Sequence, residues 1–351
     1  MTPQREHYFP NTEPLAADEM RIIALGTGRP FLRPAQANAG WLIELGNGDK
    51  FMFDFGFGTQ MRFGGLEIPY QSITAYFATH LHTDHVGDFA AIWIGSWLGG
   101  RTKPLEVYGP SSTEAKYGFA HFIQKQRESY AWDTDTRAGT ANEVGAEVNV
   151  HEFDFSKVHT IYEANGVRIT SFPAVHIYDG PVSLKLEWNG LRFVYSGDTT
   201  PSYFMIENGK DADVLIHETF NTTKQLIERS GYNERMARGI GTIVHSDPTE
   251  AGRVLAECNP RLAVAYHFFN DFDTAPEMEA AVRTHYKGPL VLAKDLMVIN
   301  VTKAAITTRM AVIPQHVWPN KEKHDEFRRA PVRAPMKMSR WLADRQVFPK
   351  F

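Results

Sequence analysis

The sequence predicts an α/β protein, and three observations lead there. Short apolar runs alternate with stretches of helical periodicity between residues 20 and 286. Several of those runs are joined by Asn-Gly or Gly-Asn-Gly turns that close β-hairpins. Hydrophobic residues make up 43% of the 351 and charged residues 22%, which suits a soluble chain that buries a sizeable core.

The elements follow in order. After a polar N-terminal stretch, MRIIALGTG (20–28) reads as a strand running into a glycine turn. WLIEL and KFMFDFG flank the turn Gly46-Asn47-Gly48-Asp49 as a hairpin, and SITAYFAT (72–79) is a short strand. Helices are predicted over Asp88 to Leu98 and Ser112 to about Tyr130, with LEVYGP (105–110) as a strand between them. Asn165-Gly166 and Asn189-Gly190 each close a hairpin. VLIHET (214–219) and LAVAYHFF (262–269) are buried strands, a helix opens near Pro248 with Ser246 or Asp247 as its cap, and Ala275 to Tyr286 is a further helix. No linker rich in Pro, Gly or Ser divides the two halves, so one two-layered domain is expected.

Composition excludes several classes. The single cysteine, Cys258, rules out an internal disulfide and a cysteine-based zinc cluster, so a metal site would need His and carboxylate ligands. The N-terminus has no signal-like apolar run, and no 18 consecutive apolar residues occur, so a cytoplasmic protein without membrane contact is expected. Residues 315–351 carry nine Lys/Arg against four Asp/Glu, a net +5, which leaves the rest of the chain at −9. That acidic body disfavours a polyanion such as RNA. The basic tail, which also carries Trp318, Phe327, Trp341, Leu342, Val347 and Phe351, is expected to pack on the body or on a neighbouring subunit of a homo-oligomer.

Fourteen histidines are available, and their placement carries the chemistry. Thr79-His80-Leu81-His82-Thr83-Asp84-His85 directly follows a predicted strand, so the turn at the strand end can direct four potential ligands to one point. His176 closes ITSFPAVH, Asp198 follows a hairpin strand in YSGDT, and His267 ends LAVAY. Each of these polar groups sits where a buried strand stops, which is where α/β sheets place their sites.

This pattern resembles the metallo-β-lactamase superfamily. Within it, LGTG, SGDTTP, HETF, HSDP and YHFFND are similar to the ribonuclease-Z-like branch, and ELGNGDKF, TKPLEVYGP, NVHEFD, DGPVS and LEWNG resemble β-lactamases built on that scaffold. The resemblance implies an αββα sandwich over residues 20–312, with 1–19 as an N-terminal extension and 313–351 as the basic tail. It implies two Zn2+ per chain, the first held by His80, His82 and His176 and the second by Asp84, His85 and His267, with Asp198 bridging. A hydroxide shared by two such ions is the expected nucleophile, with Asp84 also able to orient it. Asp54, His217 and Glu218 are candidates to support the ligands, and His245 to donate a proton or stabilise an oxyanion.

The expected reaction is hydrolysis of a small molecule, most concretely opening of a β-lactam ring. A pocket rim of Trp93, Trp97, Tyr130, Trp132 and Tyr178 would suit such a ligand. The alternatives are trimming of precursor tRNA 3′ ends, or hydrolysis of another small ester or lactone. Asp198 favours a phosphodiester, because many β-lactamases lack a carboxylate at that position. Against tRNA, only 22 positions separate His176 from Asp198, too few for the tRNA-gripping arm that bacterial ribonuclease Z carries there.

Overall fold

The computed structural model describes residues 5–139, 141–318 and 333–347. The first half of the chain supplies β1 (His7–Tyr8), β2 (Met20–Gly26), β3 (Gly40–Leu45), β4 (Lys50–Phe55), β5 (Ala75–Phe77), β6 (Leu105–Pro110) and β7 (Val148–Phe153). Among them lie α1 (Thr59–Gly65), α2 (Thr83–Val86), α3 (Phe89–Leu98), α4 (Phe119–Ser129) and α5 (Ala131–Thr136). The second half supplies β8 (His159–Ala164), β9 (Val167–Pro173), β10 (Val182–Trp188), β11 (Leu191–Tyr195), β12 (Val214–Glu218), β13 (Leu262–Tyr266) and β14 (Leu290–Leu292). Its helices are α6 (Tyr203–Gly209), α7 (Thr223–Ser230), α8 (Glu234–Gly239), α9 (Pro248–Cys258) and α10 (Ala275–Val282). β15 (Met297–Val301) and β16 (Ile306–Ala311) then return to the first sheet, and α11 (Arg340–Ala343) lies in the tail.

The first sheet has nine strands in the order β1-β16-β15-β2-β3-β4-β5-β6-β7, the second seven in the order β14-β13-β12-β11-β10-β9-β8. The strand period of two sorts their side chains. Ile22, Trp41, Phe53 and Phe77 from one sheet meet Leu184, Phe193, Ile216 and Val264 from the other in a central core. On the outer face of the first sheet, Ile23, Leu42, Met52 and Phe55 pack against Phe63, Phe89 and Ile92 of α1 and α3. On the outer face of the second, Val194, Leu215 and Ala263 pack against Met205, Val254, Leu255 and Val282 of α6, α9 and α10. The result is four layers rather than the two read from strand–helix alternation, and it is the αββα sandwich of the metallo-β-lactamase fold.

The hairpins form where expected, with Asn165 and Asn189 in the left-handed region that their turns require. Asp247 caps α9 by accepting from Thr249 N at 2.9 Å. The helix expected from Ser112 begins only at Phe119. There Glu152 of β7 accepts the Ala120 amide at 2.7 Å, satisfying a helix-start donor from outside the helix. Residues 112 and 113 instead bond to the loop after β9, Ser112 Oγ donating to Asp179 O at 2.6 Å and Thr113 Oγ1 to Tyr178 Oη at 3.1 Å. Residues 1–19 include β1, which pairs in parallel with β16.

The tail touches the body near the end of α5. Arg333 bridges Asp135 and Glu143 at 3.0 and 2.7 Å, holding one point of the tail to the body. Pro335 also lies against Gly139, while Trp318, Trp341, Leu342 and Val347 are exposed in the single chain. Phe327 and Phe351 lie outside the described residues.

Candidate metal centre

The loops at the ends of four strands converge at one edge of the sandwich. His80 and His82 follow β5, Asp84 and His85 lie in α2, His176 follows β9, Asp198 follows β11 and His267 follows β13. The structure brings all seven together in two clusters that share Asp198: His80, His82, His176 and Asp198, and Asp84, His85, Asp198 and His267.

In the first cluster His82 Nδ1 lies 3.0 Å from His80 Nε2 and 3.2 Å from His176 Nε2, and the latter two nitrogens are each 3.8 Å from Asp198 Oδ2. In the second, His85 Nε2 and His267 Nε2 lie 3.2 and 3.4 Å from Asp198 Oδ1, and 3.7 and 3.2 Å from Asp84 Oδ2. Tetrahedral ligands at a bond length of about 2.1 Å stand about 3.4 Å from one another, so both clusters are spaced to enclose a cation. His85 Nε2 and Asp198 Oδ1 are also buried with no hydrogen-bond partner, an arrangement that a shared cation would satisfy.

The electrostatics agree. Burial lowers the pKa of His80, His82 and His176, the last to about 4, leaving neutral imidazoles with free lone pairs. Burial alone would raise Asp84 and Asp198, but the surrounding imidazoles hold both below the usual carboxylate range. His85 is the opposite case: burial opposes its charge, and Asp198, Asp54 and Asp84 together raise it well above its ordinary value.

A buried hydrogen-bonded chain lies beneath the ligands. Asp54, at φ 55°, accepts from His85 Nδ1 at 2.7 Å, Thr79 N at 2.7 Å, Thr79 Oγ1 at 2.8 Å and Tyr195 Oη at 2.7 Å. Tyr266 Oη lies 3.0 Å from Tyr195 Oη and 2.9 Å from Gly197 O. Sequence reasoning missed both tyrosines. Their signal was position, since each is the last inward residue of a strand and is followed at once by a ligand-bearing loop. His176 Nδ1 donates to Val244 O at 2.7 Å. His267, at φ 74°, is fixed through its amide to Thr27 O at 3.0 Å, and Thr27 in turn bonds through its N and Oγ1 to Asp295, both at 3.0 Å.

Glu218 takes a different place from Asp54. It lies 3.2 Å from His245 Nδ1 and 4.0 Å from His267 Nδ1, and accepts from Thr199 N at 2.6 Å. Burial works against a charged His245, yet Glu218 and Asp198 raise its pKa overall. His245 Nδ1 is itself 3.8 Å from Asp198 Oδ2. His217 does not join the site. Adjacent strand residues face opposite ways, so with Glu218 directed to the metal-ligand cluster His217 shares the helix-facing side of β12 with Leu215. Its Nδ1 contacts Glu218 O at 2.6 Å, and burial lowers its pKa to about 4.

The expected aromatic rim is also corrected. Trp93 and Trp97 lie in the core, their indole N–H groups donating to Ala146 O and Asn142 O, each at 2.8 Å, while Tyr130 and Trp132 are exposed on α5 and its start. Only Tyr178 of that set borders the cavity beside the first cluster, a space of about 220 Å³ lined by His80, His82, His176, Leu81, Tyr117 and Ile177 among others.

Comparison with known proteins follows the same lines. A family model described as "Anti-Pycsar protein Apyc1" matches residues 20–228. Ribonuclease Z of Mycobacterium marinum is 26% identical over 285 residues, covering 79% of this chain and 97% of that protein. The metallo-β-lactamase fold protein YhfI from Bacillus subtilis superposes with a TM-score of 0.60 at 19% identity, covering 81% of this chain and 100% of its own. The short form of human tRNase Z superposes with a TM-score of 0.59 at 20% identity, covering 80% and 98%.

Proposed function

We propose a function from one premise: the chain belongs to the family described as Anti-Pycsar protein Apyc1. It is a hydrolase of the metallo-β-lactamase superfamily, in the ribonuclease-Z-like branch. Our reading is that it is a binuclear metal-dependent phosphodiesterase acting on a compact phosphodiester. One observation carries this: Asp198 turns one carboxylate oxygen to each ligand cluster. Two dications with the carboxylates Asp84 and Asp198 leave a net positive site, which suits a phosphodiester anion better than a neutral lactam carbonyl.

The donor set of imidazole nitrogen and carboxylate oxygen fits zinc. Two such ions, held by these residues, would supply Lewis acidity and lower the pKa of a bound water. The chain's own residues do the rest. Asp84 and Asp198 hold charge at the centre of the site, and Asp54 fixes the His85 ring. His245, paired with Glu218, holds a proton that can pass to the leaving oxygen. Tyr117, Ile177 and Tyr178 form the apolar wall beside the phosphoryl position.

Precursor tRNA fits less well than a compact substrate. Between His176 and Asp198 the chain spends its length on the β10–β11 hairpin, and the cavity beside the site is small. The β-lactam reading lacks comparable support, since neither the matched family nor the relatives described above carry that activity in their names.

The test is turnover by metal-loaded protein of bis-p-nitrophenyl phosphate, a cyclic mononucleotide, precursor tRNA and a penicillin, each against His82→Ala. Turnover of the first two is expected. Cleavage of tRNA or penicillin with the small phosphodiesters untouched would refute the reading. In His245→Asn, a diester with a poor alkoxide leaving group should lose about 100-fold or more, and the p-nitrophenyl ester much less. Equal losses would remove His245 as proton donor.

A further inference from the structure

A second cavity, separate from the metal-ligand cluster, is bordered by a buried cation without an acidic partner among the described residues. Arg29, in the loop after β2, is only 3% exposed. Its guanidinium carbon lies 4.1 Å from the Phe269 ring centroid and 4.8 Å from that of Phe220. Among the described residues it makes no ion pair and no side-chain hydrogen bond, and its Nε is buried without a partner. Arg33, which lies over the same Phe269 ring at 4.5 Å, is the contrast: it takes both oxygens of Asp271, at 2.8 and 2.6 Å. The carboxylate that borders the cavity is therefore already engaged by another cation.

Burial pulls the Arg29 pKa down to about 10, so the group remains charged at neutral pH. Ring faces return only part of what it costs to bury a cation, and the planar fork of donors is shaped for an oxyanion. The cavity that Arg29 borders measures about 180 Å³ and is walled by Asn221, Arg229, Ser230, Phe269 and Asp271. At about 30 Å³ per water it has room for a tetrahedral oxyanion with some of its hydration. Arg229, at the end of α7, pairs with Asp273 but keeps more than half of its side chain exposed, placing a second cation at the cavity's edge.

We propose that this cavity is a binding site for a phosphate group, either the free ion or the phosphate of a mononucleotide, held by Arg29 from within and by Arg229 at its mouth. It shares no lining residue with the two ligand clusters and does not depend on which reaction they perform. Arg29 is linked to them through Phe220, whose ring it overlies at 4.8 Å and which also stacks on the His245 ring at 4.2 Å and 5°. Arg29 and His245 thus contact the same ring.

The test is calorimetric titration of the protein with inorganic phosphate and, separately, with a 5′-nucleoside monophosphate. Each titration is run on metal-loaded protein and again after chelation, so that phosphate on the ions is distinguished from phosphate on Arg29. One saturable phosphate site is expected to survive chelation. Arg29→Met should weaken it about tenfold or more, Arg29→Lys less, and Arg229→Ala severalfold. Tighter binding of the monophosphate than of phosphate identifies the nucleotide as the source, and the reverse identifies the free ion. Absence of a chelation-resistant site in the unsubstituted protein would overturn the proposal. So would unchanged affinity in Arg29→Met or, should that variant fail to fold, in Arg229→Ala.

Discussion

Replacing Asp54 by asparagine separates its charge from its shape. Asparagine adopts the left-handed backbone that φ 55° demands, so the substitution introduces no backbone strain. The carboxylate accepts the Thr79 amide on Oδ1, and His85 Nδ1, Tyr195 Oη and Thr79 Oγ1 on Oδ2, within 2.7–2.8 Å. An amide has one acceptor oxygen. Whichever way it is turned, its NH2 faces at least one buried donor that the carboxylate satisfied. Hydrogen bonds to a charged group contribute about 1.5–3 kcal/mol, and an orphaned buried donor costs about 1–3 kcal/mol, so a loss of about 3–5 kcal/mol is expected. The His85 ring also loses its anchor, which should weaken the second ion about 10–100-fold. Urea unfolding gives the first quantity and competition with a graded series of chelators the second. A stability change below about 1 kcal/mol together with unaltered metal affinity would refute the reasoning.

Three further outcomes are expected. Gly197→Ala places a Cβ 2.8 Å from the Thr79 side chain at φ +59°, so it should cost about 2 kcal/mol or more of stability and lower metal content; wild-type stability would show that the loop yields. Asp295, 7% exposed at its side chain, has a pKa pushed up to about 6 by burial, above its ordinary 3.8. The unfolded chain therefore releases this proton first, and the residue withdraws on the order of 3 kcal/mol of stability as pH rises from about 4 to 6. Unfolding curves of Asp295→Asn should be flatter than wild type across that window, and parallel curves would contradict the assignment. Trp132→Ala should leave turnover and stability within about 0.5 kcal/mol of wild type, because the residue is 79% exposed on α5 and does not border the cavity beside the metal-ligand cluster. A tenfold loss of turnover would restore it to the rim.

What was legible in the sequence was mostly local. Asn-Gly turns are chosen by two residues, so the hairpins at 165–166 and 189–190 could be read directly. The spacing from Thr79 to His85 is also local, and His176, Asp198 and His267 could be found because each ends an apolar run. Contacts between distant segments were not legible. Nothing near Ser112 says that Glu152 starts the helix at Phe119 instead. Nothing in a strand pattern says that Tyr195 and Tyr266 lie within hydrogen-bonding distance of each other beneath Asp54. Apart from Tyr178, the aromatic rim failed for the same reason: Trp93 and Trp97 share a helix face with core residues, and composition does not tell a core face from a pocket face. His217 shows the limit from the other side, since a histidine next to Glu218 on a strand has to look the opposite way.

The order of strands in the first sheet has a consequence for how the chain is made. β2 emerges early and every one of its seven residues is buried, yet one of its two neighbours, β15, is synthesised some 270 residues later. β1 must wait longer still, for β16. Until the ribosome has passed residue 311, this sheet has an open, apolar inner edge, the kind of surface on which nascent chains pair with one another. A chain cut short at residue 296 would not simply lack an end. It would keep all seven ligand positions and carry a permanent template for aggregation alongside them.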